Sequence, residues 1–262
     1  MKAAQHKRAA KQALKGKWGV AIGVFFLYLI IGGISGMIPI DYYWANMIVL
    51  IFLLSPFFVG FYWFYLDLKR LPNPKVETLF DSFSKDYVRV VLTNLLVFIF
   101  VFLWGLLLIV PGIIKTYSYS MTFYILRDRK DLSAIEAITE SRKMMDGHKW
   151  KLFCLMFSFI WWYIIPLIMM IVGLVMMAVA GAGSLADATV MEPTMEELST
   201  LFLGMGIAFI GSIVSFLISI YVTPYYMTSL AVFYDDFVKP KRDTEAPYQN
   251  EKNLIDDEPI NT

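Results

Sequence analysis

The sequence has few of the residues that supply covalent staples, metal ligands or proton-transfer groups. One cysteine, Cys154, and two histidines, His6 and His148, occur in 262 residues. A disulfide framework needs paired cysteines, and a structural zinc site needs thiolates and imidazoles at short spacing, so both are excluded. Charge is also scarce. Only 17% of residues are charged, where a soluble domain carries roughly a quarter. Charges this sparse cannot clothe the surface of a water-soluble chain of this length. Basic and acidic residues nearly balance, 23 against 22, which excludes a strongly basic nucleic-acid binder. No G-x-S-x-G, H-E-x-x-H, Walker or Rossmann pattern occurs. The sequence therefore offers no catalytic residue, no cofactor and no metal site, and it reads as non-enzymatic.

What it has in excess is apolar length. Hydrophobic residues make up 58% of the chain and the mean hydropathy is +0.60. A membrane-crossing helix needs about 20 apolar residues. Five runs qualify: 18–38, 47–66, 90–110, 152–179 and 201–222. The first exceeds a signal h-region and lacks an A-x-A site, so it reads as a retained anchor. The third run continues past Pro111-Gly112 to residue 126, interrupted in charge only by Lys115. As one helix it would measure about 55 Å, too long to cross once.

Lys and Arg collect in cytoplasmic loops, and they decide how to divide that run. Six lie before Trp18, five in 67–89, seven in 127–151 and four beyond residue 238; with Lys115 these are all 23. The intervening loops, 39–46 and 181–200, carry only acids: Asp41, Asp187, Glu192, Glu196 and Glu197. The expectation is an all-α polytopic bundle of six spans, arranged as three helical hairpins with both termini cytoplasmic. Residues 90–126 then form a hairpin turning at Pro111-Gly112. Its returning arm, 113–126, is short enough to be either a full crossing or re-entrant. A five-helix reading would instead place the seven basic residues of 127–151 outside.

Each outgoing helix follows a basic stretch, and two of these end alike, in Gly16-Lys17-Trp18 and Gly147-His148-Lys149-Trp150. Pro56 precedes Asp67 by the same eleven residues that separate Pro224 from Asp235. Both features suit an old internal repeat, and equally the ordinary recurrence of interfacial Trp, helix-start Pro and helix-end charge. Ser133-Ala-Ile-Glu136 is a capping box opening a short amphipathic helix that carries Ile135, Ile138 and Met145 and stops at Gly147. Val76, Leu79, Phe80, Phe83 and Tyr87 form a similar stripe. The expected division is a basic N-terminal segment 1–17, a six-span domain 18–237 and a disordered tail 238–262.

The blocks Leu14-Lys-Gly-Lys-Trp18, Val76-Glu-Thr-Leu-Phe80-Asp-Ser-Phe83, Val110-Pro-Gly-Ile-Ile-Lys115-Thr-Tyr-Ser-Tyr119, Ser141-Arg-Lys-Met-Met-Asp-Gly147 and Thr223-Pro-Tyr-Tyr226 with Ala231-Val-Phe-Tyr234 occur in that order. In this the chain resembles, over roughly residues 10–237, the bacterial integral membrane proteins catalogued as domain of unknown function 975. The region of Pro111-Gly112 and Ser141 to Gly147 also has a weaker likeness to the membrane domain of some bacterial glycerophosphodiester phosphodiesterases. The first resemblance implies a six-helix plasma-membrane protein and no particular activity.

Two sets of side chains are candidates for function. Lys115 is the one charge inside an apolar run, and helical spacing sets Tyr119 and Thr122 on its face with Ser118 adjacent. These four are candidates for a polar cavity holding an anionic group such as a lipid phosphate; alternatively Lys115 snorkels or pairs with Asp41. Asp67, Asp128 and Asp235 are candidates for a cytoplasmic acidic ring, or are simply helix-end carboxylates beside Lys69, Arg70, Arg127 and Arg129. Gly19-x-x-x-Gly23 and Gly32-x-x-x-Gly36, and Gly204, Ala208 and Ser212, predict closely packed helices. The expected partners are the lipid bilayer and another membrane protein or a second copy. The leading expectation is a scaffold, accessory or membrane-homeostasis factor; the rival is a small transporter or lipid-handling permease around Lys115.

Overall fold

A computed structural model describes residues 2–84, 86–186 and 194–256. Asp187 and Glu192 of the expected outer loop, Lys85, and tail residues 257–262 lie outside the described residues. Among the described residues all regular structure is helical. Five helices are long and apolar enough to cross a membrane: Trp18–Met37, Tyr43–Arg70, Tyr87–Leu107, Lys149–Gly181 and Met195–Val238.

Helix α1 (Ala3–Leu14) buries His6, Ala10 and Leu14, one residue per turn on one side. It is thus a packed element and not only a basic tail. Gly16 (φ 78°) turns the chain into α2 (Trp18–Gly33), and Gly147 (φ 69°) makes the corresponding turn before α9 (Lys149–Ile160). Both positions are in the left-handed region that glycine adopts without a Cβ penalty. The second long helix comprises α3 (Tyr43–Ile48), a π-helical segment Val49–Leu54 and α4 (Ser55–Arg70). Pro56 has no N–H for the Phe52 carbonyl, and the Tyr87 hydroxyl donates to that oxygen at 2.8 Å. The widened turn accommodates the proline without ending the helix.

The apolar run of 90–126 divides differently from the sequence expectation. Helix α5 (Tyr87–Leu107) reverses into α6 (Ile109–Tyr119) at Leu108 (φ −159°, ψ 138°), not at Pro111-Gly112. Pro111 sits in the first turn of α6, where its missing N–H is harmless. Gly112 lies against Gly105, leaving 2.7 Å between a Cβ built there and the Gly105 Cα. A break then separates α6 from α7 (Thr122–Asp128). Each piece falls short of the length of a spanning helix, so this arm is absent from the five.

Helix α8 (Ala134–Met144) opens with its capping box formed: Ser133 N–H donates to Glu136 at 2.8 Å and the Glu136 N–H to Ser133 Oγ at 3.4 Å. Ala134, Ala137, Ile138 and Ser141 are buried, whereas Ile135 is exposed. Residues Val76–Phe83 form a 3₁₀ helix whose inner row is Thr78, Leu79 and Ser82, so the expected stripe turns by a position. The chain divides into two compact units, 1–155 with 224–262, and 156–223.

In the second unit, α10 (Ile164–Ala186) meets the first part of α11 (Met195–Asp256) through small residues. A Cβ at Gly173 would stand 2.5 Å from Gly204 O and 2.8 Å from the Ala208 Cβ. The expected close packing at Gly204 and Ala208 is present there. At Gly19, Gly23, Gly32 and Gly36 it is absent, with nothing within 4 Å of a built Cβ among the described residues. The G-x-x-x-G spacing encodes a smooth face but not what covers it. The α11 backbone stays helical to Asp256, where a disordered tail is expected. Extending an existing helix requires no new nucleus.

Burial divides the molecule sharply. Ile30 (70% exposed), Leu106 (75%) and Ile165 (70%) typify large apolar side chains turned outward along the long helices. By contrast Phe57, Phe64, Leu66, Leu68, Met121, Tyr124, Ala231 and Tyr234 are almost wholly enclosed. Apolar exposure on this scale is consistent with a membrane protein. Within the enclosed region the tightest contact is at Gly60, where a Cβ would lie 2.0 Å from the Leu79 carbonyl oxygen. Gly60→Ala must therefore push Val76–Phe83 off α4 and cost at least about 3 kcal/mol, seen as a lowered unfolding midpoint in detergent. Gly32→Ala, with open space around it, is expected to be neutral or to stabilise by up to about 1 kcal/mol.

Candidate functional site

The ends of several helices in the first unit are joined by buried charge. Arg70, on the last turn of α4, donates from Nη1 to Asp128 Oδ1 at 2.6 Å and from Nη2 to Asp128 Oδ2 at 2.8 Å, a two-pronged pair with the end of α7. The same guanidinium donates to Asp235 Oδ1 from Nε at 2.9 Å and from Nη2 at 2.6 Å. Lys69 pairs with the other oxygen of Asp235, and the Tyr234 hydroxyl donates to Asp128 at 3.1 Å. A second group is centred on Arg127, which binds Asp67 at 2.8 Å and Asp81 at 2.7 Å and lies over the Trp63 ring at 5.0 Å. Thr78 donates to Asp67 at 3.2 Å.

Asp67, Asp128 and Asp235 do therefore gather at one end of the unit, but as members of an ion-pair lattice. The chain's own guanidinium and ammonium groups already pair with each of the three carboxylates. Among the described residues no group of three His, Cys, Asp or Glu side chains is placed to hold a metal ion.

Cations also close the ends of two helices. Lys17 Nζ donates to the Leu68 carbonyl at 2.9 Å and to that of Leu71, capping α4. Arg89 donates to the carbonyls of Leu126, Arg129 and Leu132 at 3.0–3.1 Å, capping α7 and the turn after it. Last-turn carbonyls lack intrahelical partners and carry the negative end of the dipole, which makes a cation the natural cap. Beneath α4, His6 approaches Asp236 at 3.3 Å and its ring packs on Phe233 at 5.1 Å. Burial of the imidazole outweighs the Asp236 charge and holds its pKa below the ordinary histidine value.

The second candidate set divides. Lys115 and Tyr119 line a cavity of about 290 Å³ together with Phe100 and Trp104 of α5 and Ile135, Ile138, Thr139 and Arg142 of α8. Lys115 Nζ sits 4.4 Å from the centre of the Trp104 ring and does not pair with Asp41. Ser118 is buried, its hydroxyl turned back to the Ile114 carbonyl at 2.9 Å. Thr122 is wholly buried and not part of the cavity lining, because the break between α6 and α7 takes it off the face of Lys115. Thr139 and Arg142 complete the lining beyond the expected four residues. Their signal was helical spacing: Ile135, Ile138, Thr139 and Arg142 recur three and four residues apart on one side of α8.

Two outcomes follow from the lattice. Arg70→Met leaves the buried Asp235 and the partly buried Asp128 short of a partner and should cost about 3 kcal/mol of unfolding free energy; adding Asp128→Leu should restore part of it, so a double-mutant cycle reads strong coupling. For His6, the folded chain takes up a proton less readily than the unfolded chain. Its contribution is intact above the ordinary histidine pKa and is lost as pH falls through that value toward the lower folded one. The unfolding midpoint should therefore drop between pH 7 and about pH 5.5, and less so in His6→Gln.

No curated protein and no solved structure matches the chain. One family model does, over residues 1–118 and 105–241, and its description is protein of unknown function (DUF975). The two segments together take in the lattice, the cavity and both glycine turns, and on that coverage the chain belongs to the DUF975 family.

Proposed function

We propose that the chain is a six-crossing protein of the bacterial plasma membrane with both termini cytoplasmic, acting as a non-enzymatic scaffold or accessory factor in membrane homeostasis. One observation carries this reading: basic side chains tie together the start of α2, the end of α4, the start of α5 and the end of α7. Segments that begin and end at one level cross in pairs, and the level rich in Lys and Arg is cytoplasmic by the positive-inside rule. In this topology α6 and α7, 18 helical residues rising about 27 Å, form the fourth crossing as two stacked pieces. The lattice holds helix ends in register, and α8 turns Glu136 and Lys143 outward as a polar face for a partner.

In a Cys154→Ala background, Asp41→Cys should react with a membrane-impermeant maleimide on intact cells, and Lys130→Cys only after lysis. Equal labelling would remove the topology. In a deletion strain, Ile138→Asp, which charges the buried side of α8, should fail to restore envelope integrity, whereas Lys115→Met should restore it. The reverse result favours the second reading, a small transporter or lipid-handling permease, which draws its support from the Lys115 cavity.

A further inference from the structure

Most cations of the first unit's enclosed region face a carboxylate or a helix-end carbonyl. Lys115 and the solvent-exposed Arg142 do neither: each lines the same cavity, from α6 and α8 respectively, and no acidic residue is among the lining side chains. Neither forms an ion pair with another described residue. Lys115 is half-buried and held over the Trp104 ring, which keeps its ammonium at the cavity wall. Tyr119 and Thr139 bring two hydroxyls to the same space. Two cations on separate helices, neither ion-paired among the described residues, and two hydroxyls lining the same space form a receptor for an oxyanion. A guanidinium fork opposite an ammonium point charge suits a phosphate group better than a neutral or zwitterionic one.

We propose that this cavity binds the phosphate of an anionic headgroup, with the rest of the amphiphile lying along the α5–α6 hairpin. Its 290 Å³ falls at the small end of ligand sites, roughly 300–1,000 Å³, room for a headgroup but not for a whole lipid. On α5, Leu103 and Leu107, three residues on from Phe100 and Trp104, are exposed, an apolar surface for acyl chains next to the cationic space. The site goes beyond the scaffold reading and does not depend on it, since a bound lipid would serve a scaffold as an anchor and a permease as cargo.

The test is native mass spectrometry of the full chain in mild detergent, titrated in turn with phosphatidylglycerol, phosphatidylcholine and inorganic phosphate. The expected result is retention of phosphatidylglycerol in preference to phosphatidylcholine. Lys115→Met with Arg142→Gln should weaken it by about tenfold or more, while Lys143→Gln, one residue along α8, leaves it unchanged. Lys115→Arg, which keeps the charge, should retain binding and so separates loss of the site from loss of the fold. If inorganic phosphate binds with this dependence and phosphatidylglycerol does not, the oxyanion site stands and its source is a free anion. Affinities for both probes that are the same in the double variant and the unsubstituted chain would overturn the proposal, as would an equal loss in Lys143→Gln.

Discussion

One guanidinium organises the first unit. Arg70 bridges Asp128 and Asp235, which lie 58 and 165 residues away in sequence, and so fixes the ends of α4, α7 and the returning helix α11 against one another. A buried ion pair gains little over a well-packed apolar contact, because desolvation cancels most of the attraction. What it contributes is register. An apolar side chain in a greasy bundle can slide by a turn at small cost, whereas Arg70 displaced by one turn would leave two carboxylates unpaired. In a chain whose long helices are mostly apolar, such points of fixed pairing are the main source of a unique arrangement.

The Pro-to-Asp step marks where each of two helices passes from the exposed to the enclosed region. Up to Phe52 and Leu53, and again up to Leu217 and Tyr221, large apolar side chains face outward. From Pro56 and from Pro224 onward, nearly every position is buried until Asp67 and Asp235 are reached. The eleven residues are the depth of the enclosed core, with a carboxylate at the far end to meet Arg127 or Arg70. The α5–α6 hairpin lacks that step, and the arm made of α6 and α7 is the one that breaks. The matching left-handed glycines, Gly16 and Gly147, belong to the same logic: each ends an amphipathic helix packed into the core and redirects the chain into an exposed one.

Much of this was legible because it depends on local chemistry. Apolar length gave the five long helices, S-x-x-E gave the start of α8, and Gly147 gave its stop. Thr194-Met-Glu-Glu197 was an equally readable cap that the sequence reading passed over; Glu197 N–H donates to Thr194 Oγ1 at 3.2 Å and the Thr194 N–H to Glu197 at 2.8 Å. What could not be read was anything decided by distant partners. Asp67, Asp128 and Asp235 were recognisable as helix-end acids, yet their neutralisation by Arg70 and Arg127 depends on which helices adjoin. Likewise Pro111-Gly112 has the composition of a turn, but the close approach of Gly112 to Gly105 shows that the pair serves the hairpin's packing, with the reversal three residues before Pro111, at Leu108.

The break between α6 and α7 shows how a local defect produces the cavity. A helix interrupted in an enclosed setting leaves a carbonyl and an N–H without partners, each costly to bury alone. Here a single hydroxyl satisfies both: Ser141 Oγ donates to the Ser118 carbonyl at 2.9 Å and accepts from the Met121 N–H at 3.2 Å. That repair requires α8 to lie directly against the break. Since Ser141 is adjacent to Arg142 and Ser118 to Tyr119, seating the hydroxyl also brings the guanidinium up to the face that carries Lys115. The cationic space is therefore a geometric consequence of mending the helix, and replacing Ser141 with a residue lacking a hydroxyl would disturb the fold and the cavity together.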